Sequence, residues 1–201
     1  MTCTSTYKKK GMQLFFENKY LEAIKKFNKA IEHEPVDSES WFYRGECKYF
    51  INQYEDAIKD LDKAIELYPE EPFTWCCRGQ SKYNLYQYED AIKDLDKAIE
   101  LDPEEPLSWC YRGQSKYDLD QYEDAIKDLD KAIELDPEYP FSWDFRGRCK
   151  YFLKQYQEAI KDFDKAVELY PDYSNSWHFR GKCKYFLKQY EEATKDLDKA
   201  I

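Results

Sequence analysis

Few side chains in this 201-residue sequence are equipped for covalent or metal chemistry. The seven cysteines, Cys3, Cys47, Cys76, Cys77, Cys110, Cys149 and Cys183, are odd in number and form no Cys-x-x-Cys pair. That pattern points to reduced thiols rather than a disulfide framework or a zinc site. His33 and His178 are the two histidines, too few for a histidine-based acid–base or metal constellation. No Gly-rich phosphate loop or nucleophile triad accompanies them, so an enzyme is not expected, and neither is a cofactor. What recurs instead is recognition chemistry. Arg44, Arg78, Arg112, Arg146 and Arg180 stand 34 residues apart, each followed four residues on by a lysine (Lys48, Lys82, Lys116, Lys150 and Lys184). Guanidinium groups bind carboxylates bidentately, and aromatic residues, 18% of the chain, supply apolar anchors beside them.

The step of 34 runs through the whole chain. Trp41, Trp75, Trp109, Trp143 and Trp177 keep it, as do Gly11, Gly45, Gly79, Gly113, Gly147 and Gly181, and these account for every Trp and Gly. Pro35, Pro69, Pro103, Pro137 and Pro171 follow the same period. Five full repeats, 4–37, 38–71, 72–105, 106–139 and 140–173, and an incomplete sixth, 174–201, use up the sequence, which is read as one repeat domain. Within 54–67, Tyr54, Ala57, Ile58, Leu61, Ala64, Ile65 and Leu67 follow the i, i+3, i+4 spacing of an amphipathic helix, with charged residues between them. Pro69 stops that helix, and Pro72, Pro106 and Pro140 open the next ones, where a missing N–H costs little. A first helix over 38–51 turns around Asn52 and Gln53, so each repeat is a helical hairpin. One hairpin cannot bury enough apolar area to offset about 1.5 kcal/mol per ordered residue, so the hairpins must stack.

With 36% charged residues and no long apolar run, a membrane span is not expected, and the segment leading to Lys8, Lys9 and Lys10 has no signal-peptide core. A cytoplasmic protein is expected. Net charge −10 and a pI near 4.9 argue against nucleic acid. The aromatic content is too high for a disordered chain.

These residues resemble the tetratricopeptide repeat family, whose 34-residue unit carries Trp, Leu, Gly and Tyr on a first helix and Ala, an aromatic or Leu, Ala and Pro around a second. The second repeat supplies Trp41, Gly45, Ala57, Leu61, Ala64 and Pro69 at those offsets, and the first supplies Tyr7, Gly11, Ala23, Phe27, Ala30 and Pro35. The family's Leu is Arg in five repeats and Lys10 in the first, which looks like an arginine-glycine variety. The resemblance implies an all-α, right-handed superhelical solenoid of about six hairpins. In it Gly45 lets the two helices approach closely and Trp41 fills the gap toward the preceding repeat.

The family's first helices line a concave face, and at the matching places stand Tyr43, Phe73, Cys77, Gln80, Tyr111, Gln114, Phe145, Arg148, Phe179 and Lys182. They are the expected peptide-binding groove, with their rings solvent-accessible. First-helix stretches sum to +10 and the remainder to −20, so the groove reads as aromatic and mildly basic, suited to an acidic or aromatic-anchored peptide or helix of a partner protein. The family's carboxylate clamp for chaperone tails is not matched. Lys8 fits, but Met12, Tyr43, Phe73 and Cys77 replace the other four members.

Structural readings stand beside these. The Arg and Lys columns are expected to pair with Asp60, Asp94, Asp128, Asp162 and Asp196 on second helices, in which case Arg112→Leu is near neutral; the other reading puts the arginines in the ligand site. Cys47, Cys149 and Cys183 alternate with Ser81 and Ser115 as a small-residue packing slot, and His33 reads as a partly buried helix-end residue. Repeats three and four are nearly identical from Glu71 and Glu105 onward, which suggests a groove of low specificity. An interaction scaffold is the leading function. The alternative is a self-associating solenoid or a fragment of a longer array, because Tyr190, Ala193, Leu197 and Ile201 would present apolar surface where another repeat would pack.

Overall fold

The computed structural model describes residues 3–200, with side chains from Thr6 onward, so the Cys3 and Ile201 side chains lie outside it. Twelve α-helices and no strand lie among the described residues. They form two compact halves, Met1–Pro103 and Glu104–Ile201. The first holds α1 (Cys3–Phe16), α2 (Tyr20–His33), α3 (Ser38–Phe50), α4 (Tyr54–Leu67), α5 (Pro72–Asn84) and α6 (Tyr88–Leu101). The second holds α7 (Pro106–Asp118), α8 (Tyr122–Leu135), α9 (Pro140–Phe152), α10 (Tyr156–Leu169), α11 (Ser174–Phe186) and α12 (Tyr190–Lys199). Within each half every helix packs on the next, and each first helix also touches the first helix of the following hairpin.

The turn inside each hairpin is a Schellman motif. The Gln53 N–H donates to the Lys48 carbonyl and the Asn52 N–H to the Tyr49 carbonyl, both at 2.9 Å, with Asn52 at φ 60°. Asn18, Tyr86, Asp120, Lys154 and Lys188 take the same left-handed conformation. Asn is at ease there, and the Asn52 Oδ1 also accepts from the Tyr54 hydroxyl at 2.7 Å. A lysine in that conformation is strained. Lys154→Asn is therefore expected to raise stability by about 1 kcal/mol, read as a higher melting temperature; no gain would mean that the turn relaxes around lysine without strain.

The core forms where the hairpin halves meet. Ala57, Leu61, Cys47 and their equivalents Ala91, Leu95, Ala125, Leu129, Ala159, Phe163, Cys149 and Cys183 have no exposed surface. A Cβ added to Gly113 would stand 2.7 Å from the Leu129 Cγ, so only glycine permits this approach. Trp41, Trp75, Trp143 and Trp177 are half-buried and tied down at both ends. The Trp41 indole N–H donates to the Pro35 carbonyl at 2.8 Å, and the Arg44 guanidinium lies 4.6 Å from its ring centre.

That same arginine is consumed internally. Arg44 Nε and Nη2 reach the Asp60 carboxylate at 2.8 and 2.6 Å, and Lys48 Nζ joins it at 2.7 Å. The triad recurs as Arg78, Asp94 and Lys82, as Arg112, Asp128 and Lys116, as Arg146, Asp162 and Lys150, and as Arg180, Asp196 and Lys184, each Asp buried. The structural reading of the columns holds, and the basic groove read from the first-helix charges is corrected, since column cations and aspartates neutralise each other inside the hairpin. The first repeat has Lys10 and Lys26 at the Arg and Asp places, and Lys10 instead donates to Gln13.

The packing slot of Cys47, Ser81, Ser115, Cys149 and Cys183 is fully buried, as expected. His33 is not partly buried but exposed, stacked on the Tyr7 ring at 5.7 Å. The apolar end expected around α12 is present in part, since Leu197 keeps exposed surface where its counterparts Leu61, Leu95 and Leu129 have none. Tyr190 is exposed, but Ala193 is buried and Leu197 half-buried, because both pack against Gly181.

Candidate peptide-binding face

The residues assigned to the groove fall into two layers. Tyr43, Tyr111, Arg148, Phe179 and Lys182 are half-buried and Phe73 is 37% exposed, whereas Cys77, Gln80, Gln114 and Phe145 are buried. The expectation of accessible rings is thus corrected for Phe145 and, as groove surface, for Cys77, Gln80 and Gln114. Cys77 and Phe145 point into the seam with the preceding hairpin, where Cys77 meets Glu46 and Phe145 meets Tyr117. Phe145 meets Tyr117 edge-on at 5.4 Å; Phe179 meets Tyr151 at 5.3 Å and stacks over Phe163 at 6.1 Å; Tyr43 stacks over Phe27 at 5.8 Å. Gln80 and Gln114 turn back onto their own helices, donating to the sulfurs of Cys76 and Cys110 at 3.2 and 3.1 Å.

Arg148 is no free cation. Its Nη2 lies 2.5 Å from Asp144 Oδ2 and donates to the Tyr173 hydroxyl at 3.0 Å, and its guanidinium covers the Phe145 ring at 4.6 Å. Asp144 is fully buried and also accepts from the Ser176 hydroxyl at 2.6 Å. Burial pushes its carboxyl up, against the pull of Arg148 and Ser176. Lys182 lies over the Phe179 ring at 5.3 Å.

A second layer of rings, also at concave-face places of the first helices, stays open. Phe50, Phe152 and Phe186, 47%, 45% and 50% exposed, end α3, α9 and α11. Each stacks on the tyrosine that opens the second helix of the preceding hairpin: Tyr20, Tyr122 and Tyr156 at 4.8, 5.1 and 4.9 Å, nearly parallel. The signal was present in the sequence as a column of Phe broken by Asn84 and Asp118.

A pocket of about 470 Å³ opens in the N-terminal half, between the N-terminal ends of α3 and α5. Phe42, Tyr43, Tyr68 and Phe73 line it with Glu39 and Glu71. Phe42 meets Phe73 edge-on at 6.1 Å and Tyr43 at 5.1 Å. Phe42, Tyr43 and Phe73 stand at concave-face places of the first helices, whereas Tyr68 and Glu71 lie outside them, in columns that vary from repeat to repeat.

Glu46, beside this pocket on α3, has its carboxyl pushed up to about 7 by burial, with the Cys77 thiol donating to it across 3.5 Å and partly offsetting the shift. A raised folded-state pKa means that the folded chain keeps a proton that the unfolded chain releases near pH 4.3. The resulting stabilisation is complete below that value and is lost as pH rises through about 7. Glu46→Gln should therefore melt well above wild type at about pH 8 and level with it at about pH 4; parallel curves would show that Glu46 is solvated.

The six cysteines with described side chains are buried and carry thiols rather than disulfides. Burial pushes the Cys47, Cys149 and Cys183 thiols up to about 12 and Cys110 to about 11, so none is a ready nucleophile. No described group of three or more His, Cys, Asp or Glu could hold a metal ion, and no described helix is long and apolar enough to cross a membrane.

Stacked helical hairpins with Gly at the crossing, Trp at the seam and a repeated first-helix face define an α-helical repeat protein of the kind that presents a surface to other chains. The chain belongs to the tetratricopeptide repeat (TPR) family: family models described as tetratricopeptide repeat match residues 106–139, 140–173 and 174–201. A model of anaphase-promoting complex, cyclosome, subunit 3 matches residues 16–98. None of the curated protein sequences matches the chain. Among solved structures, the hetero-tetramer Cut9-Hcn1 of the anaphase-promoting complex aligns with a TM-score of 0.86 at 19% identity over 98% of this chain and 39% of that one. PilW, a type IV pilus biogenesis factor, also reaches 0.86, at 16% identity over 98% and 91%. YrrB, described as a TPR protein with an unusual peptide-binding site, gives 0.69 at 24% identity over 87% and 90%. At these identities the likeness establishes the fold, a TPR-type solenoid.

Proposed function

We propose that this chain is a non-enzymatic scaffold, working in the cytoplasm, which holds a peptide or helix of a partner protein along its first helices. The observation that carries the reading is the set of half-exposed rings Phe50, Phe152 and Phe186, each held rigid by a stacked tyrosine. A ring already fixed in place loses little freedom on binding, which favours its use as an anchor. Tyr43, Phe73, Tyr111, Phe179 and Lys182 would form the walls of the binding face, and Cys77, Gln80, Gln114, Phe145 and Arg148 would support it from beneath. Affinity then comes from aromatic and apolar contact. An acidic partner gains nothing from the Arg and Lys columns, which are already satisfied by aspartates. The peptide-binding site of YrrB, on the same fold, is in keeping with this use.

The test is selection of binders from a displayed random-peptide library with the full chain as bait. Wild type should enrich peptides carrying aromatic or large aliphatic anchors. The combined variant Phe73→Ser, Phe152→Ser and Phe186→Ser should lose them while its circular dichroism and melting temperature stay close to wild type, because these rings are already half in water. Undiminished capture by the variant would refute the reading.

A further inference from the structure

The same place in successive hairpin junctions is used in two different ways. At the first junction Lys8 of α1 reaches the start of α3 and pairs with Asp37 at 2.8 Å and with Glu39. Burial would lower the Lys8 pKa, but the two carboxylates outweigh it and hold the ammonium charged. Thirty-four residues on, Lys8, Asp37 and Glu39 become Phe42, Glu71 and Phe73. The cation has been replaced by a ring, a second ring faces it, and the carboxylate remains. Glu71 is half-buried and does not cap α5, whereas its counterpart Glu105 caps α7 by accepting from the Leu107 and Ser108 N–H groups. The Glu71 backbone carbonyl accepts from the Thr74 N–H at 3.2 Å, and among the described residues the Glu71 carboxylate makes no hydrogen bond or ion pair.

We propose that the pocket between the second and third hairpins binds the cationic side chain of a partner peptide, a lysine ammonium or an arginine guanidinium. Its charge meets Glu71, with Glu39 at the rim, and its faces meet Phe42, Tyr43, Tyr68 and Phe73. Rings around a cation attract it through their electron-rich faces, and a carboxylate at the edge adds a charge-assisted hydrogen bond. Apolar walls alone would suit a neutral aliphatic anchor equally well. The half-buried carboxylate selects against that choice, because covering it with a neutral group removes its water and returns nothing. The Lys8 site supplies the precedent within the same chain, an ammonium seated at the start of a first helix against the acidic residue that precedes it.

This inference rests on the reading that a partner chain lies along the first helices, but a free cation tests the pocket by itself. Amide chemical shifts of the full chain are followed during titration with n-butylammonium, n-butylguanidinium, n-butyltrimethylammonium and neutral 1-pentanol. The cations should give saturable shifts confined to the starts of α3 and α5, and 1-pentanol should not. Glu71→Gln should weaken the cations about tenfold, as loss of one charge-assisted contact does. Glu89→Gln, on an exposed site of α6, should change nothing. Preference for the trimethylated probe would identify a methylated lysine as the source of the cation, and preference for the other two an unmodified side chain. Equal binding of 1-pentanol, indifference to Glu71→Gln, or shifts spread over the acidic second helices would overturn the proposal. Glu71→Gln should keep its helicity, since that carboxylate has no part in the α5 cap. Cation binding that survives while the ring variants capture peptides as well as wild type would sink the scaffold reading alone. The converse would sink only the pocket.

Discussion

Asp162→Ala is expected to lower the stability of the chain by about 3–5 kcal/mol, the cost of stranding buried charge. The carboxylate accepts from Arg146 Nε at 3.0 Å and Nη2 at 2.6 Å and pairs with Lys150 at 2.7 Å, and its own side chain is 3% exposed. Removing it leaves two largely buried cations facing each other without their shared counter-ion. Arg146 keeps Asp130 at 2.6 Å on its outer side, but Asp130 is exposed and contributes little. Arg112→Leu acts differently. Sequence alone suggested a near-neutral exchange, but in the structure Asp128 would remain buried with Lys116 as its single cation, so a loss of about 1–2 kcal/mol is expected. Denaturant unfolding of the two variants measures both values. A cost below about 1 kcal/mol for Asp162→Ala would place the triad among solvated surface pairs.

Phe163→Ala should cost a similar amount, about 3–5 kcal/mol, through a cavity rather than a charge. The ring has no exposed surface; one side lies so close to Gly147 that a Cβ there would stand 2.8 Å from it, and the other stacks on Phe179. Neither neighbour can move in to fill the space. Contacts in a hairpin array are between neighbours, so hydrogen exchange should lose protection in α9 to α12 while α1 to α4 stay protected. Phe163→Leu, which installs the residue found at Leu61, Leu95 and Leu129, should recover most of the loss. Uniform loss of protection along the chain would show cooperativity beyond nearest neighbours.

The sequence by itself determined the fold, because repetition leaves little to arbitrate. A 34-residue step shared by Trp, Gly and Pro sets the hairpins, and the apolar period of 54–67 matches α4 residue for residue. The pairing of Arg and Lys columns with aspartates was also legible, since opposite charges in register sixteen residues apart face each other across a hairpin. Which rings face water was decided only by the tertiary structure. Phe145 and Phe152 lie on one helix, two turns apart, and nothing in their type separates them. One enters the seam with the preceding hairpin and meets Tyr117, while the other lies flat on Tyr122 at the edge and keeps its outer face exposed. The Glu71 pocket has the same origin. Phe42 and Phe73 come from α3 and α5 and Tyr68 from the end of α4, and their sequence columns hold Lys8, Glu39 and Glu34 one repeat earlier, so periodicity conceals the site. A repeat dictates what its members share, whereas a binding surface is made of the places where they differ, and only packing brings those differences together.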